Sequence, residues 1–229
     1  MKSQISVLKN SLSGDLLDGK FDNGRYSTDA SIYQIMPEAV ILPKNIEDIK
    51  KTIQFSQEHN IPILPRGGGT SQNGQTVNRA IVLDNSKYLN KIIEVDAINQ
   101  TCLVEPGVVL DELNRFLKPY GLWFPVDVST SSRATIGGMA GNNSAGGRSI
   151  RYGIMRDNVM SIDALLSDAS EAHFGLSKDN ISGLKSLFPK LMAIAEKNKN
   201  EIKTRYPKVL RRVGGYNLDA LLNDTLASR

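Results

Sequence analysis

The feature that most constrains this chain is a run of glycine and small polar residues, PRGGGTSQNGQ, at positions 65–75. Glycine lacks a Cβ atom, so such a backbone can adopt positive φ angles and can turn several N–H groups toward one point. A cluster of N–H donors suits an anion, above all a diphosphate. Thr70 and Ser71 add hydroxyl groups, and Arg66 adds a positive charge beside the loop. On glycine content alone, a glycine-rich hairpin that binds no ligand remains an equal alternative.

Two well-known phosphate-binding motifs do not match this loop. A P-loop requires a lysine after its last glycine, and the loop contains none. The dinucleotide-binding fingerprint lies between a strand and a helix, whereas residues 76–84 predict a strand. A second segment, ATIGGMAGNNSAGG at 134–147, again combines glycine with small side chains and many potential donors. Because glycine is a poor helix former, this density indicates a close approach to the backbone, and two such segments favour a long ligand with a diphosphate centre and flat ends.

The pattern of apolar residues predicts an α+β chain rather than a regular series of βαβ units. Up to about residue 85 we expect a helical lead-in, a turn at 22–24 and then alternating strands and helices. Beyond it, two paired strands precede a helix that Gly121 ends. Residues 122–135 are expected to be irregular. The predicted strands are 38–42, 61–64, 80–84, 92–95, 101–105 and 159–166, and the predicted helices are 5–20, 45–60, 110–117, 184–203 and 216–222.

Composition argues against several other classes of function. The chain has 28 basic and 24 acidic residues, a net charge of +4, and no basic stripe that would suit a nucleic acid. A single cysteine, Cys102, excludes an internal disulfide and a cysteine-based metal site, and we predict no metal. No apolar run is long enough to cross a bilayer, which predicts a cytoplasmic protein without an integral membrane segment. His59 and His173 lie outside the glycine-rich segments, so no catalytic residue is assigned.

Four motifs, in their order along the chain, carry a resemblance to a known family: PRGGGTSQNGQ, VEPGV at 104–108, ATIGGMAGNNSAGG, and RYGIMRDNV at 151–159. Together they resemble the FAD-binding domain of the p-cresol methylhydroxylase/vanillyl-alcohol oxidase fold, an α+β domain of two lobes. Within that fold the sequence most resembles the bacterial flavoenzymes that oxidise D-2-hydroxy acids, namely glycolate, D-lactate and D-2-hydroxyglutarate dehydrogenases. VGGYNL at 213–218 resembles long members of this branch, which are fused to an iron–sulfur segment.

The resemblance implies a domain organisation. It implies an N-terminal helical lead-in over residues 1–24 and a FAD-binding domain over 25–229. The first lobe would span about 25–85 and the second about 86–229. The segment that closes this domain in the family has no match here, so we expect the last part of the domain to be missing from this chain.

The resemblance also implies how FAD is held. The first glycine-rich loop would wrap the diphosphate through its N–H groups, and Gly107 would let the backbone pass close to the cofactor. Thr70 stands where some relatives carry the histidine that attaches FAD covalently, which implies non-covalent FAD. Asp127 stands where the family often has an Asp-Pro pair, although Val128 follows it here. The cofactor-binding residues that the resemblance implies are Arg66, Gly67, Gly68, Gly69, Thr70, Ser71, Gly74, Gln75, Gly107, Asp127, Thr135, Ile136, Gly137, Gly138, Asn142, Asn143 and Gly146.

The activity that the resemblance implies is oxidation of a D-2-hydroxy acid to a 2-oxo acid, with hydride transfer to flavin N5. The substrate-binding residues, the base and the iron–sulfur segment or other electron acceptor are expected outside this chain, so the chain alone is expected to be inactive. Two alternatives remain: a FAD-dependent sugar or alcohol oxidase of the same fold, and a cofactor-binding module without activity of its own. Thr70 and the stretch NSAGG at 143–147 favour the hydroxy-acid branch.

Overall fold

The structure, a computed structural model, describes residues 2–175, 181–183, 187–209 and 216–222. The chain divides into two compact units. The larger unit comprises Met1–Val159 and Ser167–Ala169, and the smaller unit comprises Met160–Leu166 and Ser170–Arg229. The lobe boundary expected at residue 85 falls inside the larger unit, and the domain limits given above stay predictions.

The first part of the larger unit contains α1 (Lys2–Ser11), β1 (Asp15–Leu17), α2 (Lys20–Arg25), β2 (Ala39–Leu42), α3 (Ile46–His59), β3 (Ile63–Arg66) and β4 (Ile81–Asp84). The strands form one sheet in the order β1-β2-β4-β3. Strands β2, β4 and β3 are parallel, whereas β1 pairs antiparallel with β2. Every residue of the two central strands, β2 and β4, is buried, as expected of strands that are covered on both faces.

Helix α3 begins and ends where the sequence predicts. The Asn45 side chain accepts a hydrogen bond from the Asp48 N–H at 2.9 Å, which caps the first turn. Asn60 adopts the left-handed conformation, with φ of 52°, and ends the helix. Phe55 is buried in a cluster with Ile41 of β2, so the helix covers one face of the sheet. Strand β3 follows this helix, and its carboxyl end opens into the first glycine-rich loop.

The second part of the larger unit contains β5 (Ile92–Asp96), β6 (Thr101–Val104), α4 (Leu110–Leu117), a 3₁₀ helix (Lys118–Tyr120), α5 (Ile136–Gly141), α6 (Ser149–Tyr152) and α7 (Met155–Asn158). Strands β5 and β6 form an antiparallel pair. Leu110, Leu113 and Leu117 recur at helical spacing and are buried on one face of α4. Gly121, with φ of 71°, ends the 3₁₀ helix as the sequence predicts.

The smaller unit contains β7 (Ile162–Leu165), β8 (Glu171–Phe174), β9 (Ile181–Ser182), α8 (Leu187–Lys197), α9 (Lys199–Arg205) and a 3₁₀ helix (Leu218–Leu221). Its strands form an antiparallel sheet in the order β7-β8-β9. Ala195, Ile202 and Leu222 form a buried cluster between its helical segments. Across both units, every helix in the described ranges is too short or too polar to span a lipid bilayer.

Three predicted elements differ from the structure. The predicted helix over 5–20 is wrong beyond Ser11, because residues 15–17 form β1, whose Leu16 is buried in the same cluster as Ile41. The predicted turn at 22–24 lies inside α2. The second glycine-rich segment, for which the sequence predicts no regular element, contains α5, which Thr135 caps. Of the predicted helix over 184–203, residues 184–186 lie outside the described residues, and Asn198 separates α8 from α9.

Candidate functional site

The first glycine-rich loop presents a run of N–H groups that have no hydrogen-bond partner among the described residues. None of the N–H groups of residues 67–72 donates a hydrogen bond to another described residue. The loop leaves the carboxyl end of β3, the edge of a parallel sheet at which ligands commonly bind. Successive backbone N–H groups without partners can donate to phosphate oxygens. The residues at this position therefore fit a diphosphate.

Arg66 lies at the base of this loop and binds backbone carbonyl groups. Its Nη1 donates to the carbonyl oxygens of Tyr26 at 3.2 Å and Thr76 at 3.0 Å. Its Nη2 donates to the carbonyl oxygen of Thr28 at 2.9 Å. The guanidinium also lies over the Tyr26 ring, 5.2 Å from its centroid. The sequence suggested that Arg66 supplies charge beside the loop, and the structure adds that its donors hold two flanking segments together.

The two glycine-rich segments meet in space. Gly67 faces the Thr135 side chain and Gly68 faces the Arg133 carbonyl group, so closely that a Cβ atom at either glycine would overlap its neighbour. The Gln75 side chain approaches that of Asn142, with its Nε2 3.5 Å from Oδ1. The missing glycine side chains thus allow one loop to pack on the other, and the predicted residues of both segments lie in one region.

The second segment does not present a comparable set of free donors. The Thr135 hydroxyl accepts a hydrogen bond from the Gly138 N–H at 3.3 Å and caps α5. The N–H of Ile136 donates to the Val108 carbonyl at 2.8 Å. Gly137 likewise donates to Pro106 at 2.9 Å, and a Cβ atom on it would lie 2.5 Å from the Pro106 Cβ. The expectation of many available donors here is wrong, because most N–H groups of the segment donate to acceptors within it or in neighbouring backbone.

Asn142 and Asn143 stabilise the turn that follows α5. The Asn142 Nδ2 donates to the Ser144 hydroxyl at 3.0 Å, and the Asn143 Oδ1 accepts from the Arg156 N–H at 3.1 Å. Asn143 adopts a positive φ of 46°, a conformation that asparagine tolerates better than most residues. A contact of either residue with FAD stays a prediction.

Gly107, Asp127 and Gly146 approach other parts of the chain. Gly107 is buried, and a Cβ atom on it would overlap the carbonyl oxygens of residues 85 and 89. The Asp127 carboxylate accepts a hydrogen bond from the Arg148 N–H at 2.8 Å, and its carbonyl group fills the space beside Gly146. The resemblance implies that the Gly107 backbone passes close to the cofactor, and the structure shows that the space a side chain would need there is filled by the protein. A contact between Gly107 and FAD stays a prediction.

Sequence reasoning missed the segment that supports the first loop from behind. The Thr76 hydroxyl donates to the Asp29 carboxylate at 2.8 Å, and the Ala30 N–H donates to the Gly69 carbonyl at 3.1 Å. The Tyr33 ring packs against Gly74, whose φ is 76°. Several of these contacts use backbone atoms, which leave no trace in residue identity. The available signal was Asp29, a polar residue in the segment between α2 and β2.

Two ionisable groups in this supporting region have shifted pKa values. Partial burial acts to raise the pKa of Asp29, but hydrogen bonds from Ser31 and Thr76 outweigh it and hold that pKa below its ordinary value. Burial and a 2.7 Å hydrogen bond to Asp84 raise the pKa of Tyr26 well above its ordinary value. Asp29 is therefore ionised and Tyr26 is neutral throughout the physiological pH range.

The histidines do not point to acid–base chemistry in the loops. His59 Nδ1 lies 2.9 Å from the Phe55 carbonyl oxygen, and its ring stacks on the Phe55 ring. His173 lies in β8, in the smaller unit, where its Nδ1 is 2.6 Å from the Asp163 carboxylate. Among the residues that the structure describes, no group of three or more His, Cys, Asp and Glu side chains could hold a metal ion.

One known family covers both glycine-rich segments. A family model described as "FAD binding domain" matches residues 37–175, which include both glycine-rich segments. The chain belongs to this FAD-binding domain family. Its cofactor is FAD, as the resemblance implied. The matched range includes β3, the loop residues 67–72 that follow it, and α5.

Curated relatives of the chain include a dehydrogenase and an oxidase subunit. The chain is 33% identical over 225 residues to D-2-hydroxyglutarate dehydrogenase of Escherichia coli, covering 93% of this chain and 22% of that protein. It is 39% identical over 159 residues to glycolate oxidase subunit GlcD of Bacillus subtilis, covering 67% of this chain and 34% of that protein. The chain thus spans between about a fifth and a third of the length of these relatives.

Solved structures confirm the predicted fold. Alkyldihydroxyacetonephosphate synthase aligns with a TM-score of 0.66 at 22% identity, over 76% of this chain and 34% of that chain. The 6-hydroxy-D-nicotine oxidase of Arthrobacter nicotinovorans aligns with a TM-score of 0.64 at 18% identity, over 72% of this chain and 36% of that chain. The FAD-binding domain therefore has the α+β fold of the p-cresol methylhydroxylase/vanillyl-alcohol oxidase type.

Proposed function

We propose that this chain is the FAD-binding portion of a dehydrogenase that oxidises a D-2-hydroxy acid to the 2-oxo acid, and that it binds FAD non-covalently. The observation that carries the proposal is the run of free N–H groups at residues 67–72, within a chain that belongs to the FAD-binding domain family. The names of the relatives in Escherichia coli and Bacillus subtilis support a hydroxy acid as the substrate class.

In this proposal the described residues bind and orient the cofactor. The N–H groups of residues 67–72 would bind the diphosphate, and Ser71 adds a hydroxyl group that also contacts the Gln75 side chain. Thr135, Ile136 and Gly138 would line the adjoining part of the cofactor, at the start of α5. When bound, FAD supplies the acceptor for the hydride that leaves the substrate. The substrate-binding residues, the base and the electron acceptor or iron–sulfur segment are proposed to lie outside this chain, and a cytoplasmic location is proposed with them.

The cofactor part of the proposal is tested by reconstitution. The purified chain is mixed with FAD, desalted, and its visible flavin absorption is measured before and after acid precipitation. We expect flavin to stay with the native protein through desalting and to leave it in acid, because Thr70 offers no histidine for a covalent bond. Flavin that remains on the acid precipitate would contradict non-covalent binding, and a colourless protein after desalting would contradict tight FAD binding.

The substrate class is tested on the protein at its natural length. Its bound flavin is titrated under anaerobic conditions with D- and L-2-hydroxyglutarate, D- and L-lactate, and glycolate. We expect a D-2-hydroxy acid to bleach the flavin band and its L-enantiomer to leave the band unchanged. Bleaching by sugars or simple alcohols, without bleaching by any hydroxy acid, would favour the alternative of a sugar or alcohol oxidase.

A further inference from the structure

We propose that FAD affinity depends on a polar brace behind the diphosphate-binding loop, with Arg66 as its central positioning residue. The brace consists of Arg66, Thr76 and the segment 26–33. This inference rests on the proposed role of residues 67–72 in binding FAD. It assigns to Arg66 the task of shaping the loop, in place of a direct charge contact with the diphosphate.

The bonds of Arg66 support a positioning role. The residue immediately precedes the run of free N–H groups, and its guanidinium donates to carbonyl oxygens on both sides of the loop: Tyr26 and Thr28 on one side and Thr76 on the other. All three acceptors are neutral backbone groups, so the bonds fix distances between segments. A planar guanidinium can make such a fork of bonds, whereas a lysine ammonium on a flexible stem cannot reproduce it.

Further contacts connect both ends of the loop to the same segment. At the beginning of the loop, the Gly69 carbonyl accepts a hydrogen bond from the Ala30 N–H at 3.1 Å. At its end, the Thr76 hydroxyl donates to the Asp29 carboxylate at 2.8 Å, and the Tyr33 ring packs against Gly74. The segment 26–33 therefore fixes the loop at residues 66, 69, 74 and 76, and the free N–H groups lie between these fixed points.

A glycine-rich loop needs such support because it has much conformational freedom to lose. Glycine loses more backbone entropy on ordering than any other residue. If the loop were ordered only when FAD binds, that cost would reduce the affinity for FAD. With the brace in place, the loop is ordered before the cofactor arrives. The brace thus acts on FAD only through the shape of residues 67–72.

The central test is Arg66→Lys, which keeps the positive charge and removes the fork of hydrogen bonds. We expect the dissociation constant for FAD to rise by about tenfold, equivalent to about 1.4 kcal/mol. The dependence of that constant on salt concentration should remain as in the wild type, because no ion pair with the diphosphate is lost. Arg115→Lys, the same change on the exposed face of α4, is the matched control and should leave FAD affinity unchanged.

Two further variants separate the brace from electrostatics. Thr76→Val removes one hydroxyl group without changing charge, and we expect weaker FAD binding by a few-fold. Asp29→Ala removes a negative charge from the neighbourhood of an anionic ligand, so charge alone would tighten binding. The brace instead predicts that Asp29→Ala weakens FAD binding, because the contact with Thr76 is lost.

The apo protein gives a readout that does not depend on FAD. In Arg66→Lys, the backbone ¹⁵N order parameters of residues 67–72 should fall from about 0.85 to about 0.6 or below. The order parameters of α3 should stay unchanged. Arg66→Lys and Thr76→Val variants that keep wild-type order parameters and wild-type FAD affinity would overturn the brace. A wild-type chain that binds no FAD would instead overturn the proposed function on which the brace rests.

Discussion

Replacing Gly68 by alanine tests whether the FAD site depends on contact between the two glycine-rich segments. A Cβ atom at Gly68 would overlap the Arg133 carbonyl oxygen and lie 2.9 Å from its carbon. Both atoms belong to backbone, so no flexible side chain can move aside. The φ angle of Gly68 is not in the left-handed region, so steric overlap is the expected source of any effect.

The size of the overlap sets the expected loss of stability in Gly68→Ala. To restore a normal carbon–oxygen separation, the two segments must move apart by about 1 Å. Overpacking of this kind costs about 1–3 kcal/mol of unfolding free energy. For a domain of this size that corresponds to a fall in Tm of about 2–12 °C. Because the same movement displaces residues 67–72, we also expect the dissociation constant for FAD to rise.

Thermal unfolding of the apo protein and FAD titration of the same samples measure the two effects. Gly141→Ala is the matched control, since a Cβ atom there meets nothing within 4 Å. Gly141 lies at the end of α5, where alanine is expected to be neutral or slightly stabilising, by up to about 1 kcal/mol. A Gly68→Ala protein with the Tm and FAD affinity of Gly141→Ala would refute the contact between the segments.

Three further predictions concern single side chains. Asp48 is fully buried and accepts backbone N–H bonds from Ser13, Gly14 and Lys44, at 2.8, 2.9 and 2.9 Å. Asp48→Ala should therefore lower the unfolding free energy in urea by about 3 kcal/mol or more, while Glu58→Ala on the exposed side of the same helix should have little effect. Folding lowers the pKa of Asp29 from its ordinary value of 3.8, so the ionised carboxylate stabilises the folded protein. This stabilisation is complete above the ordinary pKa and is lost as the pH falls through the lower pKa of the folded protein. Acid titration of Asp29→Asn should accordingly show a smaller loss of stability below about pH 4 than the wild type. Burial raises the pKa of the Cys102 thiol. Iodoacetamide should therefore modify Cys102 slowly in the native protein at neutral pH and rapidly in urea. Equal rates of modification would contradict the half-buried position of Cys102.

Much of the fold follows from local sequence signals. Asn45 and Gly121 mark the limits of helical segments because capping depends on the residue at one position. The apolar runs AVIL at 39–42 and IVL at 81–83 predict strands, and the structure buries both. Strand β1 was missed, since it has only three residues and its pairing with β2 is a tertiary contact.

The candidate site likewise has features that follow from local sequence and features that depend on tertiary contacts. The donor-rich character of residues 67–72 follows from the three glycines at 67–69 and the polar residues after them, and the sequence predicts it. The sequence could not show that Gly68 and Gly137 are needed for contacts with Arg133 and Pro106, because those partners are distant along the chain. The sequence also could not predict the hydrogen bonds of Arg66, because their acceptors are backbone carbonyl groups, which every residue carries.

The most direct test of the central claim is a ¹H–¹⁵N NMR titration of the chain with FAD, using riboflavin as a control ligand that lacks the diphosphate. If residues 67–72 bind the diphosphate, their amide signals shift with FAD and gain protection from solvent exchange, whereas riboflavin leaves them unchanged. FAD binding that shifts other signals and leaves those of residues 67–72 unchanged would contradict the claim.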